Sequence, residues 1–572
     1  MNTEFIGIIA TFLLTLAIAI PLGKYLAKVF AGEKVWTDFL KPVETAIYKL
    51  SGIKVKEQMN WKQHLKALLT LNTVWLIYGF FVLLYQDKLP LNPDSNPSMT
   101  PDLAFNTIIS FVANCNLQHY SGETGVSYLT QQFVLLFLQF VSAATGIAAA
   151  VVLFKAFRDK TTTNLGNFWE FFVKAITRLL LPLSIVVALL LTFNGTPSSF
   201  EGKDRFVSLQ GDTIKVSRGP AAQLIAIKHL GTNGGGYFGV NSAHPFENPN
   251  YLTSMVELIA QTIIPLAMVI AFGIFIRKRK LSWLIFGVMT LGMLLLLIPS
   301  LTSELGGNPA LTKMGISQGT GAMEGKEIRF GPAMTAYWGT LTTVISTGSV
   351  NGMHDSTMPL TGLWQLLGMM INAFYGGCGV GLLNYFIYLI IAVFIAGLMV
   401  GRTPEFMGHK VESREIKIAA IATLLSPFLI LTGTAIASYI FSNYGDATWA
   451  TQPKNWLNNP DFHGFSEMLY EMTSSNANNG SGFEGLADNN VFWNIATGIV
   501  IFLGRFLPII APVAIAGLLA NKKFIPESTG TLKTDTITFS LMTFVVIVVL
   551  NALSYFPALA LGPLAEYFTM LK

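Results

Sequence analysis

Charged residues are scarce in this chain of 572 residues. Only 12% are Asp, Glu, Lys or Arg, whereas an average soluble domain carries about 25%. With 52% apolar residues, the chain has too much apolar surface for a soluble enzyme or a disordered chain. The two cysteines, Cys115 and Cys378, are too few for a disulfide framework or a thiolate zinc cluster.

Ten apolar runs are present, each long enough to cross a bilayer as a helix of about 20 residues. They cover 5–27, 65–85, 130–154, 175–194, 255–276, 281–300, 365–400, 416–441, 491–520 and 537–562. Such long unbroken runs exclude an outer-membrane barrel, whose strands alternate apolar and polar residues. The seventh run is too long for one straight span, and its cluster Gly376-Gly377-Cys378-Gly379 predicts a break in the helix. The sequence therefore predicts an all-α polytopic membrane protein with ten transmembrane helices.

Lysine and arginine residues are unevenly distributed between the loops. Of the 37, 25 lie in the loops that follow odd-numbered runs. Positive residues favour the cytoplasmic side, so these loops are predicted to be cytoplasmic and both termini to lie outside. None of these loops is long enough for a soluble nucleotide-binding domain.

Four internal repeats are predicted, each made of a span, an outer loop and a second span. They cover 60–160, 170–280, 281–402 and 415–520, with a broken second helix in the third, and extra transmembrane helices are predicted at 1–30 and 535–562. Two spans restore the starting side of the membrane, so the four repeats run parallel and suggest a ring around a central axis. The pairs Asn116-Leu117, Asn233-Gly234, Thr347-Gly348 and Asn479-Gly480 align the loops. This alignment puts Leu117 where the other three loops have glycine.

Each outer loop has a helix-like stretch followed by small, polar, Gly- or Asn-rich residues. Irregular backbone at membrane depth is tolerated only where it is buried in protein or lines a wet cavity. Rings of backbone carbonyls can replace the hydration shell of a potassium ion, and the carboxyl ends of the short helices would favour a cation. The alternative is four ordinary surface turns, but four copies in register favour an ion path.

Three stretches carry a family resemblance: GTNGGGYFGVNSAHPFENP (231–249), STGSVNGMHDSTMPL (346–360) and SSNANNGSGFEG (474–485). They resemble the potassium-binding subunit of the Kdp-type potassium-transporting ATPase, in the superfamily of potassium transporters. The resemblance implies four fused membrane–pore–membrane repeats around a potassium filter. The filter positions that it implies are Asn114, Cys115, Asn116, Gln118, Thr232, Asn233, Gly234, Gly235, Ser346, Thr347, Gly348, Ser349, Asn478, Asn479, Gly480 and Ser481.

The resemblance also implies a function and partners. The subunit would bind external potassium and deliver it to a separate P-type ATPase subunit, which hydrolyses ATP; this chain would hold no nucleotide and would not be an enzyme by itself. A single-span subunit with a periplasmic domain and a small single-helix subunit would complete the complex, in contact with lipid of the bacterial inner membrane and without nucleic acid. The alternative is a stand-alone potassium channel or uniporter of the same superfamily.

Several further residues are candidates for roles near this path. Arg505 lies within an apolar run, where a charge usually marks a functional site; the resemblance places it below the filter. The cluster Gly376, Gly377, Cys378 and Gly379 resembles the family's intramembrane barrier. Glu123 and Glu247, near the outer mouth, either concentrate cations or are simply solvated. His354 and Asp355 are expected to hold their loop by hydrogen bonds, without metal or catalytic chemistry.

Overall fold

The computed structural model describes residues 3–526 and 532–572. Residues 1 and 2 of the predicted N-terminal helix lie outside this part of the chain. Within it, ten helices are long and apolar enough to cross a membrane, which confirms the predicted class and number of spans. We name them spans 1 to 10 in chain order. They are Glu4–Ala31, Trp61–Lys88, Tyr128–Arg158, Phe168–Phe193, Tyr251–Phe275, Arg279–Lys313, Val380–Val400, Ser413–Asn443, Val491–Ala520 and Ile537–Leu571.

Four short helices lie in the loops that follow spans 2, 4, 6 and 8. We name them short helices 1 to 4: Pro101–Val112, Ala222–Leu230, Gly331–Ile345 and Phe462–Ala477. Proline in the first turn starts the first and third, where its missing N–H costs no hydrogen bond. A further helix, Lys41–Leu50, joins spans 1 and 2. Small antiparallel hairpins pair Asp204–Val207 with Thr213–Val216 and Glu405–Phe406 with His409–Lys410.

The predicted break in the seventh run is confirmed. One helix covers Pro359–Ile371 and the next covers Val380–Val400. The connecting segment, which we call the break segment (372–379), contains three glycines in the left-handed region, with φ of 36°, 82° and 83° at Gly376, Gly377 and Gly379. The helix itself ends at the left-handed Asn372, with φ of 43°. The glycines then allow turns of the backbone that residues with a Cβ rarely adopt.

The spans form an inner and an outer set. In spans 3, 5, 7 and 9, between 61% and 89% of the most apolar stretch is buried, whereas only 22–33% is buried in spans 1, 2, 4, 8 and 10; span 6 is intermediate at 56%. The inner spans are therefore the second members of the four predicted repeats. The boundaries of the repeats themselves stay a prediction.

Close backbone contact holds span 1 against span 5. A Cβ at Gly23 would lie 2.9 Å from the Ala267 carbonyl oxygen, so the small residue allows the helices to approach closely. On the side with the basic loops, Arg178 of span 4 donates hydrogen bonds to Asp38 and Glu44. This buried ion pair fixes the helix Lys41–Leu50 to span 4.

Candidate ion-binding site

Four loops follow the carboxyl ends of the short helices and share one backbone conformation. We name them loops 1 to 4: residues 114–118, 232–236, 346–350 and 478–482. In each, the first and third residues have positive φ, between 50° and 98°. These residues are Asn114 and Asn116, Thr232 and Gly234, Ser346 and Gly348, and Asn478 and Gly480.

This pattern corrects the alignment expected from the sequence. The residue of loop 1 that occupies the glycine position is Asn116, with φ of 55°, and not Leu117. Asparagine is the residue other than glycine that most readily adopts this conformation. The sequence alignment was shifted by one residue because it matched polar residue types and could not use φ. Gln118 consequently lies one position beyond the four-residue stretch that the loops share.

The loops contact one another in a closed ring. A Cβ at Gly234 would overlap the carbonyl oxygen of Thr347, one at Gly348 would overlap that of Asn479, and one at Gly480 would overlap that of Cys115. Loop 2 therefore touches loop 3, loop 3 touches loop 4, and loop 4 touches loop 1. The last contact joins loops 1 and 2, where Asn114 Nδ2 donates to the Thr232 carbonyl oxygen over 2.9 Å.

Several carbonyl groups in this ring lack hydrogen-bond donors. Within the described part of the chain, no hydrogen bond reaches the carbonyl oxygens of Cys115, Asn116, Asn233, Thr347, Gly348, Asn479 and Gly480. The side chains of Asn116 and Asn233 are buried, and both amide polar atoms of Asn116 are without partners there. Buried polar groups are rarely left unpaired. Clustered oxygens of this kind are suited to bind a dehydrated cation.

The fourth residues of loops 3 and 4 and the fifth residues of loops 1 and 2 form hydrogen bonds within the protein. Trp338 Nε1 donates to the Ser349 carbonyl oxygen over 2.8 Å, and Tyr470 OH lies 2.8 Å from Ser481 Oγ. Gln118 Oε1 accepts from the Gly236 backbone N–H at 2.8 Å, which links loop 1 to loop 2. These bonds fix loops 3 and 4 to short helices 3 and 4 and fix loop 1 to loop 2.

A buried ion pair also supports loop 2, and sequence reasoning missed it. Lys228 of short helix 2 pairs with Glu247, and both side chains are fully buried. Glu247 Oε1 also accepts from the Tyr237 and Phe238 backbone N–H groups, at 2.6 and 3.0 Å. Neither alternative considered for Glu247 is therefore correct, since it is neither solvated nor free to attract cations. The available signal was a lysine within a largely apolar helix.

His119 and Glu123 follow loop 1 in the chain. Glu123 is partly exposed and its Oε2 accepts from the Gly239 backbone N–H at 2.9 Å. Burial raises the pKa of Glu123 above its usual value. Burial lowers the pKa of His119, but the nearby Asp488 and Glu471 carboxylates outweigh it and raise the pKa to about 9. His119 therefore carries a proton at neutral pH and links loop 1 to short helix 4.

The break segment lies directly against loop 2. The Cys378 backbone N–H donates to Thr232 Oγ1 over 3.0 Å, and Cys378 Sγ donates to the Leu230 carbonyl oxygen over 3.2 Å. Its other neighbour is span 3, because a Cβ at Gly379 would lie 2.9 Å from the Gly146 carbonyl carbon. The segment thus lies between loop 2 and span 3.

Arg505 of span 9 lies beside the break segment. Its Nη2 donates to the Ser142 carbonyl oxygen over 3.1 Å and lies 3.2 Å from the position that a Cβ at Gly146 would occupy. The Cys378 carbonyl oxygen lies 2.5 Å from that same position. No carboxylate in the described residues forms an ion pair with Arg505. A buried positive charge without an ion-pair partner among the described residues therefore lies between span 3 and the break segment.

Residues 9–568 match the sequence model of the family described as potassium-transporting ATPase A subunit. The chain belongs to the potassium-transporting ATPase A subunit family. A potassium-transporting ATPase potassium-binding subunit from Flavobacterium psychrophilum is 65% identical over 579 residues and covers 100% of both chains. The same-named subunits from Bacteroides thetaiotaomicron and Geobacillus kaustophilus are 58% and 46% identical, covering 100% and 98% of both chains.

The family assignment confirms the resemblance found in the three sequence stretches. Among solved structures, the potassium transporter TrkH from Vibrio parahaemolyticus is similar with a TM-score of 0.48 and 14% sequence identity, over 89% of this chain and 98% of TrkH. Membership in the A subunit family makes potassium the ion to consider for the ring.

Proposed function

We propose that the ring of loops 1 to 4 binds dehydrated potassium from the outer side of the membrane. The observation that carries this proposal is the set of carbonyl oxygens without hydrogen-bond donors on four loops that share one alternating φ pattern. Loops of this kind supply carbonyl oxygens from several directions, which is the chemistry of potassium filters. The proposed ligands come from the residues 114–116, 232–235, 346–349 and 478–481.

The charge of the ring favours a monovalent cation. The four loops contain no Asp or Glu, whereas sites for calcium commonly use several carboxylates. Neutral carbonyl and amide oxygens supply a weaker field, and each short helix adds the negative end of its dipole, because it ends where its loop begins. Both features favour binding of potassium, and they allow release of the ion without a large cost in free energy.

The break segment and Arg505 are proposed to prevent free leak. The segment packs under loop 2 through Cys378 and Thr232, so an ion leaving the ring meets a closed path. The Arg505 charge would repel a cation at this position. Because a charge is costly to bury within the membrane, its presence here is consistent with a functional role. A stand-alone channel would need an open route at this point.

Potassium is then proposed to pass to a P-type ATPase subunit, which supplies the energy from ATP. The names of the relatives, which are subunits of a potassium-transporting ATPase, support this step. A single-span subunit and a small single-helix subunit would complete the assembly. We place the basic loops in the cytoplasm and both termini outside, in a bacterial inner membrane, from the lysine and arginine distribution.

Two measurements on purified protein test this function. The complex with its ATPase subunit is expected to hydrolyse ATP in a potassium-dependent manner, and this chain alone is expected to show no ATPase activity. Liposomes that contain only this chain are expected to show little passive rubidium uptake. Rapid uptake driven by membrane potential in those liposomes would instead identify a stand-alone channel or uniporter.

A further inference from the structure

One imidazole and three carboxylates meet at the first turn of short helix 4, the end remote from the ring. His463 and Glu467 lie four residues apart on this helix. His463 Nε2 lies 2.9 Å from Asp355 Oδ1 and 4.0 Å from Glu467 Oε1, and His463 Nδ1 lies 2.9 Å from Glu566 Oε1. Asp355 follows loop 3, and Glu566 belongs to the last helix of the chain. The cluster therefore joins three separate segments.

Glu467 carries the observation that points to a ligand. Its side chain is fully buried. Its Oε1 accepts from the Asn459 backbone N–H at 3.3 Å, but its Oε2 has no hydrogen-bond partner in the described residues. A buried carboxylate oxygen without a donor or cation is costly. The cost is removed if a positive ion binds next to it.

We propose that His463 Nε2, Asp355 and Glu467 form a binding site for a divalent transition-metal ion of the Zn²⁺ class. Ligand atoms of these three residues all lie within 4.8 Å of one another. Bonds of about 2.0–2.1 Å in a tetrahedral zinc site place neighbouring ligand atoms about 3.3–3.5 Å apart. The distances of 2.9 and 4.0 Å from Nε2 bracket this value, so small side-chain movements suffice.

Glu566 has a different role in this site. It accepts a hydrogen bond at His463 Nδ1, which leaves Nε2 as the metal-binding nitrogen. A carboxylate that orients a metal-bound histidine in this way is common around zinc. Two carboxylate ligands would neutralise the charge of a divalent ion. A mixed nitrogen and oxygen ligand set also distinguishes this ion from Mg²⁺ and Ca²⁺, which prefer oxygen ligands.

An adjacent cavity gives the ion a route to the site. It measures about 230 Å³, and Asp355, His463 and Glu566 are among its lining residues. A water molecule from the cavity could complete a tetrahedral coordination shell. A bound ion would clamp the start of short helix 4 to the segment after loop 3. The sequence alone does not indicate this site, because Asp355 and the pair of His463 and Glu467 come from separate segments of the chain.

Zinc content of the full-length chain tests the proposal. Protein loaded with Zn²⁺ and dialysed against metal-free buffer is expected to retain one ion per chain by mass spectrometry of the metals. His463→Gln and Glu467→Gln are expected to lose it. Glu324→Gln is the matched control, because this carboxylate lines the same cavity but lies outside the cluster, and this variant is expected to retain the ion.

X-ray absorption at the zinc edge of the wild-type protein provides a second test that needs no variant. The expected spectrum has one imidazole nitrogen and otherwise oxygen ligands at about 2.0–2.2 Å. The proposal is overturned by sulfur ligation, by the absence of retained zinc, or by full zinc retention in folded His463→Gln and Glu467→Gln proteins.

Discussion

Gly480→Ala is the substitution that most sharply tests the ring. Gly480 has φ of 98°, and an added Cβ would overlap the Cys115 carbonyl oxygen of loop 1. A left-handed conformation costs a residue with a Cβ roughly 1–2 kcal/mol. The overlap is relieved only if loop 4 and the Cys115 carbonyl move apart, and this carbonyl is one of the unpaired oxygens proposed to bind potassium.

If displacement of this carbonyl weakens the free energy of potassium binding by a similar 1–2 kcal/mol, the affinity for potassium falls about 5–30-fold. The assay is the cation concentration that gives half-maximal ATPase stimulation of the purified complex, measured with potassium, rubidium and sodium. We expect the potassium value to rise by this factor and the discrimination against rubidium and sodium to weaken.

Gly482→Ala in the same loop is the matched control. A Cβ there would meet only Glu471 Oε2, at an ordinary 3.5 Å, and Gly482 does not have positive φ. Its half-maximal potassium concentration is expected to stay within about twofold of wild type, a change of only about 0.4 kcal/mol. The reasoning is refuted if a folded Gly480→Ala complex keeps the wild-type potassium value and ion ranking, or if Gly482→Ala shifts them equally.

Three further predictions concern the surroundings of the ring and the orientation of the chain in the membrane. Arg505→Gln should raise passive rubidium leak in liposomes, while Arg505→Lys keeps the charge and should raise it less; equal, wild-type leak in both would exclude an electrostatic role. Lys228→Met leaves the buried Glu247 carboxylate without its ion-pair partner, so the free energy of unfolding should fall by about 3–5 kcal/mol and the thermal midpoint should drop. Lys215→Met, at an exposed position, should leave the thermal midpoint unchanged. Similar midpoints for the two variants would contradict a stabilising role of the ion pair. A cysteine at the exposed position Arg279 should be labelled only from the cytoplasm, and a cysteine at the exposed position Asp212 only from outside. The reverse pattern at either position would contradict the proposed membrane orientation.

Hydropathy was sufficient to predict the ten spans, and the glycine cluster at 376–379 predicted the break in the seventh, because both follow from local composition. The helix in fact ends earlier, at Ile371. The shared loop conformation was only partly predictable. Glycine marks it in loops 2 to 4, but loop 1 achieves the same φ with Asn116, so residue type alone shifted the alignment by one residue.

Contacts between distant segments were out of reach of sequence reasoning. The proton-carrying His119 meets Glu471, which lies 352 residues away along the chain. The pair of Lys228 and Glu247 could have been suspected from a lysine in an apolar helix, but nothing local identifies its partner. Ion pairs and hydrogen bonds of this kind depend on which segments the fold brings together.

The position of bound cation in the ring tests the central claim most directly. Rubidium can stand in for potassium and gives an anomalous X-ray signal. In crystals of the complex soaked with rubidium, we expect an anomalous peak enclosed by loops 1 to 4, within bonding distance of carbonyl oxygens that include Thr347 and Asn479, and reduced by competing potassium. An ordered complex whose rubidium peaks all lie outside this ring would contradict the assignment of the four loops as the potassium-binding site.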